Sequence, residues 1–83
     1  MIKLYGHNRC KQVRSVITTL NLHKADFEYI NVDKDRDAQA LVMKINQGML
    51  SVPTLVFPDG TTLTEPTPVE LSEYLRAQRA QKN

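Results

Sequence analysis

Only one side chain in this sequence is a strong candidate nucleophile, the thiol of Cys10. A cysteine reacts as its thiolate, and this form is favoured at a helix N-terminus and beside cations. Both conditions are predicted here, because Cys10 stands where a helical pattern begins and because bases surround it. A free cysteine is also a common inert core residue, but the polar setting favours a reactive thiol. The basic neighbours are His7, Arg9, Lys11 and Arg14.

A single cysteine excludes an internal disulfide and any metal site built from several cysteines, so no metal is expected. Small secreted domains usually carry several disulfides, and the N-terminus lacks a signal-peptide pattern, so we expect a cytoplasmic protein. No apolar run approaches the ~20 residues that span a bilayer. The net charge is +2, with dispersed bases. These features indicate neither a nucleic-acid partner nor a membrane partner.

Apolar residues recur at helical spacing in three segments. Val13, Val16, Ile17 and Leu20 follow the i, i+3, i+4, i+7 pattern, and Ala38, Leu41, Val42 and Ile45 repeat it. The third helix is predicted from the capping box Thr67-Pro-Val-Glu70, which has proline at the first helical position, and its buried side would carry Leu71, Tyr74 and Leu75.

Strand-like segments alternate with these helices and complete the predicted order βαβαββα. A strand–helix–strand opening requires a parallel pair, and the Asp-Gly turn predicts an antiparallel hairpin. The expected fold is an α/β domain over 1–83, with a mixed four-stranded sheet and helices on both faces. The strands are predicted at 2–5, 27–32, 54–57 and 61–64, and the helices from 10 to about 21, over 38–45 and from 68.

Three segments in this order resemble glutaredoxins, including the short bacterial mycoredoxins. They are Tyr5-Gly-His-Asn-Arg-Cys10, Ser51-Val-Pro-Thr54 and Phe57-Pro-Asp-Gly-Thr-Thr-Leu-Thr-Glu-Pro-Thr67. Together they extend over nearly the whole chain in the order found in that family. The resemblance implies a thioredoxin-like fold with Cys10 as the attacking cysteine.

The family's Cys-x-x-Cys motif is altered in this chain, which reads Cys10-Lys-Gln-Val13. It also differs from the Cys-Gly-Phe-Ser of the monothiol branch. Val13 fits the inward position of the second cysteine, because it begins the apolar face of the helix. Without a resolving thiol, a mixed disulfide at Cys10 is released only by an external thiol. The resemblance therefore implies deglutathionylation in redox homeostasis rather than dithiol reduction of protein disulfides.

The resemblance also implies a substrate groove. Family members hold the proline at position 53 in cis, so that the Val52 backbone can pair with an extended thiol peptide. The helix start at Thr67 and Val69 would meet the γ-glutamyl carboxylate of glutathione, although plain capping explains it equally well. His7 stands where many members place a carboxylate-binding lysine, and a solvated loop histidine is the alternative. The predicted substrate-binding residues are His7, Arg9, Lys11, Val52, Pro53, Thr67 and Val69.

The sequence thus predicts a monomeric, glutathione-dependent thiol transferase. Its co-substrate would be glutathione or an equivalent thiol, its partner a glutathionylated or disulfide-bearing protein, and it would hold no cofactor tightly. One alternative is a dimer that carries an iron–sulfur cluster through Cys10 and glutathione, although Lys11 and Gln12 replace the small glycine of the cluster-binding branch. Another is a redox-silent adaptor that uses the groove for a protein partner.

Overall fold

Strands and helices alternate along the chain in the predicted order. The computed structural model describes residues 1–81, so the last two positions of the predicted domain lie outside it. The strands are β1 (Ile2–Gly6), β2 (Phe27–Asn31), β3 (Thr54–Val56) and β4 (Thr62–Thr64), and the α-helices are α1 (Lys11–Leu22), α2 (Arg36–Ile45) and α3 (Pro68–Gln81).

The four strands form one mixed sheet in the order β2-β1-β3-β4. β1 runs parallel to β2, with Leu4 opposite Tyr29, and antiparallel to β3, with Leu4 opposite Leu55. β3 and β4 form the antiparallel hairpin, with Leu55 opposite Leu63. The predicted α/β architecture of the thioredoxin-like type is therefore confirmed.

Successive residues of β1 point into two different cores, as the pleat of a strand requires. Leu4 is fully buried beneath α1 and α3, and Tyr5 is 7% exposed on the face that α2 covers. The first core also contains Ile2, Val16, Leu20, Leu55, Phe57, Leu71 and Leu75, and the second contains Val32, Ala38 and Val42. Helices thus cover both faces of the sheet.

The second strand and the second helix differ from their predicted bounds because of two side-chain caps. β2 stops at Asn31, whose side chain accepts a hydrogen bond from the Asp33 N–H at 2.9 Å, and a short 3-10 turn follows over Val32–Lys34. α2 begins at Arg36, because the Asp35 carboxylate accepts the Ala38 N–H at 3.0 Å. An aspartate at this position satisfies one of the free N–H groups of a first helical turn.

Three residues of the predicted apolar faces of α1 and α2 are less than fully buried. Leu41 is 37% exposed on α2, while its neighbour Val42 is fully buried. Ile17 is only half-buried, and it lines a cavity beside Cys10. It also packs against the first core, so it lies between that core and the cavity, and Ile45 of α2 is half-buried as well.

Candidate active site

Cys10 is the N-cap residue of α1, at the end of the sheet where β1 finishes. Its backbone is extended, with φ −92° and ψ 119°, and its side chain is half-buried. The Cys10 N–H donates to the His7 carbonyl at 3.4 Å, which closes the turn between β1 and the helix. The predicted placement of the thiol at a helix start is therefore present in the structure.

The N-terminus of α1 is left without a side-chain cap. The Cys10 side chain accepts no capping hydrogen bond, and the first turn contains no acidic residue. Within residues 1–81, the N–H groups of Lys11, Gln12 and Val13 have no hydrogen-bond partner. Free N–H groups at a helix start carry partial positive charge. They are available as donors to a sulfur or ligand atom beside Cys10.

Val13 fills the space that a second cysteine of a Cys-x-x-Cys motif would occupy. It is 3% exposed and lies one helical turn from Cys10. A Cβ atom added to Gly6 would lie 2.7 Å from Cγ2 of Val13, so the valine packs directly against the glycine backbone. The site therefore offers one thiol beside a tightly packed apolar side chain.

The segment before β3 is linked to the first turn of α1 through Glu65. The Val52–Pro53 peptide bond is cis, and Pro53 is buried. The Glu65 N–H donates to the Pro53 carbonyl at 2.7 Å, and the Glu65 carbonyl accepts from Gln12 Nε2 at 3.2 Å. These bonds hold Glu65 at φ 49°, a region that few non-glycine residues adopt. Within the described chain, the Val52 N–H and carbonyl have no hydrogen-bond partner.

Asn46 joins three elements behind this segment. Its amide nitrogen donates to the Val42 carbonyl at 2.9 Å and to Thr54 Oγ1 at 3.1 Å, and its carbonyl oxygen accepts from Thr64 Oγ1 at 2.6 Å. α2, β3 and β4 are thereby connected through one side chain. Because Thr54 follows Pro53 directly, the bond to Thr54 also fixes the position of the Val52–Pro53 segment.

The N-terminus of α3 is closed by the predicted capping box. The Glu70 N–H donates to Thr67 Oγ1 at 3.1 Å, and the Thr67 N–H donates to the Glu70 carboxylate at 3.0 Å. This second bond lowers the pKa of Glu70. Pro68 has no N–H, so Val69 alone among these residues keeps a donor without a partner in residues 1–81.

Two contacts join the loop before Cys10 to β2 and to the 3-10 turn that follows it. The Arg9 guanidinium forms an exposed ion pair with Asp33 and lowers the pKa of that carboxyl group. The Tyr29 hydroxyl donates to Asn8 Oδ1 at 2.8 Å. Burial raises the pKa of Tyr29, so its phenol stays neutral near pH 7. Both contacts fix the loop that carries Cys10.

His7 is half-buried in the same loop, and its Nδ1 atom is buried with no partner among the described residues. A buried polar atom without a partner costs about 1–3 kcal/mol, whether it is a donor or an acceptor. His7 and Cys10 line one cavity, so the structure brings these two predicted site residues together.

A family model described as glutaredoxin matches residues 2–61. The chain belongs to the glutaredoxin family. Mycoredoxin 1 of Corynebacterium glutamicum is 30% identical over 76 residues, which cover 92% of this chain and 94% of that protein. A glutaredoxin from Archaeoglobus fulgidus has a TM-score of 0.71 and 25% identity, over 90% of this chain and 85% of that one. A glutathione S-transferase from Methylobacillus flagellatus, solved with glutathione bound, has a TM-score of 0.67 and 25% identity over 90% of this chain and 35% of its own.

Glutaredoxins are generally thiol oxidoreductases that act with low-molecular-weight thiols and target proteins. Of the predicted groove residues of this glutaredoxin, Pro53 accepts the Glu65 N–H, and Thr67 lies two residues beyond Glu65 in the chain. Arg9 is engaged by Asp33, whereas Lys11 is exposed.

Sequence reasoning missed four residues of the site: Gln12, Glu65, Asn46 and Tyr29. Each acts through a contact with a residue distant in sequence, so helical spacing gives no signal for it. In the described part of this glutaredoxin, no group of three or more histidine, cysteine or acidic side chains could hold a metal ion. Among the helices of residues 1–81, none has the length and apolar composition to cross a bilayer.

Proposed function

We propose that this glutaredoxin is a single-cysteine thiol transferase that removes a glutathione-type thiol from modified proteins. The observation that carries the proposal is the pairing of Cys10, at the uncapped start of α1, with the buried Val13 one turn later. The first residue supplies a nucleophile, and the second removes the internal route for resolving a mixed disulfide. Glutathione bound to the related transferase supports the choice of thiol.

The reaction consists of two thiol–disulfide exchanges. The Cys10 thiolate attacks the glutathionyl sulfur of the modified protein, a new disulfide forms at Cys10, and the protein sulfur leaves as a thiolate that takes up a proton. A second glutathione thiolate then attacks the glutathionyl sulfur on Cys10. Oxidised glutathione leaves, and the Cys10 thiolate is restored. No external electron acceptor is needed, because the disulfide is passed on in each step.

Backbone and side-chain groups around Cys10 and Pro53 are proposed to bind glutathione. The unpaired N–H and carbonyl of Val52 would pair with the backbone of the bound tripeptide, as in a short added strand. The free N–H of Val69 and the side chains of His7 and Lys11 are the proposed partners of its carboxylates. Thr67 contributes by holding the turn, since its hydroxyl and N–H already belong to the capping box. Arg9 is proposed to act after it separates from Asp33.

We further propose that the protein works as a one-domain monomer in the cytoplasm, where thiols stay reduced. The test begins with mass spectrometry of the intact protein after exposure to oxidised glutathione. A single glutathionyl adduct on Cys10 is expected, together with turnover of a glutathionylated peptide by reduced glutathione. Cys10→Ser is the matched control and should show neither. A folded wild-type protein that forms no adduct would replace this function with a binding role for the groove.

A further inference from the structure

A cavity of about 270 Å³ opens beside Cys10 on the side of β2. We call it the side cavity. Its described lining comes from α1, from Tyr29 of β2 and from the loop before Cys10. The Pro53 segment lies on the other side of β1, because β1 separates β2 from β3 in the sheet. The side cavity shares Cys10 and His7 with the site proposed for glutathione, but it extends from them towards β2 and away from Pro53.

Most of the wall of the side cavity is apolar. Val13 and Ile17 contribute aliphatic surface from α1, and the ring of Tyr29 stands opposite them. The hydrogen bond from the Tyr29 hydroxyl to Asn8 fixes the ring in this place. A space of about 270 Å³ is large enough for one large apolar side chain of a bound polypeptide.

One uncompensated positive charge stands at the mouth of the side cavity. Arg14 lines it, is exposed, and has no carboxylate within ion-pair distance in residues 1–81. Arg9, the other guanidinium near Cys10, is already paired with Asp33. An acidic group on a ligand would thus complement Arg14.

We propose that the side cavity binds the polypeptide that flanks the modified cysteine of the protein substrate, and selects a large apolar residue accompanied by an acidic one. The apolar side chain lies against Ile17 and Tyr29, and its acidic neighbour meets Arg14. The inference rests on the proposed transferase function and adds substrate selectivity to it. Glutathione itself occupies the Val52 side of Cys10.

The test uses four peptides with one glutathionylated cysteine in a symmetric setting. In each peptide, the same two residues flank the cysteine on both sides. The four pairs are Glu-Leu, Gln-Leu, Glu-Ser and Gln-Ser. We expect leucine flanks to raise kcat/KM about tenfold over serine, since burial of one aliphatic side chain is worth that factor. Glutamate should add about two- to fivefold, because an exposed ion pair contributes little. Added salt should reduce the glutamate preference and leave the leucine preference unchanged.

Variants separate the two parts of the proposal. Arg14→Gln should remove the glutamate preference, measured as a ratio between peptides with the same enzyme, and keep the leucine preference. Ile17→Ala should remove the leucine preference and keep the glutamate preference. Arg36→Gln, an exposed arginine on α2 outside the side cavity, is the matched control and should change neither ratio.

The outcomes also separate this inference from the proposed function. Equal turnover of all four peptides would overturn the side-cavity proposal and leave the transferase function standing. Failure to turn over any peptide, and also the mixed disulfide of glutathione with 2-mercaptoethanol, would overturn the function itself. A glutamate preference that survives Arg14→Gln would contradict the proposed contact between Arg14 and the acidic residue of the substrate.

Discussion

Replacing Val13 with cysteine tests the single-thiol mechanism most directly. Val13→Cys rebuilds Cys-x-x-Cys with the new thiol one helical turn from Cys10. Residues three apart at a helix start have Cα atoms about 5–6 Å apart, which lies within the range that a disulfide spans. The new thiol would be nearly buried, as Val13 is 3% exposed, whereas Cys10 is half-buried. Cys10 should therefore still attack first.

The structural cost of this change should be small. Valine has two γ-methyl groups and cysteine has one γ-sulfur, so the variant loses about one methyl group from a site packed against Gly6. Removal of one buried methyl group typically costs about 0.5–1.5 kcal/mol, and we expect about 1 kcal/mol here. Urea denaturation measures this loss, and Val13→Ala provides a matched control without a thiol.

The functional gain should be much larger than this cost. An internal thiol acts at an effective concentration in about the millimolar range, far above that of a dilute protein thiol. Reduction of insulin disulfides should rise about tenfold or more over wild type, while deglutathionylation should not rise in proportion. Mass spectrometry after oxidation should show the internal disulfide as a loss of two alkylatable thiols.

Two results would refute this reasoning. Efficient reduction of insulin by the wild-type protein would show that no resolving thiol is needed. A folded Val13→Cys variant that never forms an internal disulfide would show that Val13 does not occupy the position of the second cysteine.

Three further changes test the groove and its surroundings. Gly6→Ala should destabilise the protein by about 1–3 kcal/mol, because the added methyl group would lie 2.7 Å from Val13 Cγ2. Urea denaturation should show most of this loss recovered when Val13→Ala is combined with it. Asn46→Ala removes the bonds that join three elements behind the groove, so KM for glutathione should rise more than kcat falls. Unchanged KM would show that the groove does not depend on this side chain. Glu70→Gln should lower KM for glutathione about two- to fivefold, since it removes a negative charge beside the proposed carboxylate site. The hydrogen bond from the Thr67 N–H lowers the pKa of Glu70, so its stabilising effect is fully present above the pKa of the unfolded chain and is lost as pH falls through the lower folded pKa. The difference in unfolding free energy between wild type and Glu70→Gln should therefore close on acidification, as denaturation at several pH values would show.

The sequence predicted the elements of the fold where a local pattern determines them. The period of Val13, Val16 and Leu20 is enough to define a helix with a buried face, and the Thr67-to-Glu70 spacing predicted a capping box that the structure contains. These signals depend on residues within one or two turns of each other, so they can be recognised without a structure.

The rest of the site depends on contacts across the fold. Gln12 meets Glu65 from 53 residues away, and Tyr29 meets Asn8 from 21 residues away. No local sequence pattern shows that Arg14 lines a cavity, because the cavity depends on how α1 packs beside β2. Basic neighbours of Cys10 therefore looked equivalent in the sequence, although an ion pair to Asp33 separates Arg9 from Arg14 in the structure.

The two helices that begin at the active-site end of the sheet differ in chemistry. α1 begins after Cys10 with no side-chain cap and no acidic residue in its first turn. α3 begins with a capping box, which places the Glu70 carboxylate at the helix N-terminus. An anion is thus favoured at the first helix start and opposed at the second. On the proposed function, the start of α3 therefore adds little binding energy for the carboxylate of glutathione, which meets only the free N–H of Val69 there. Discrimination between substrates would then come from the polypeptide on the other side of Cys10, where Arg14 has no competing partner.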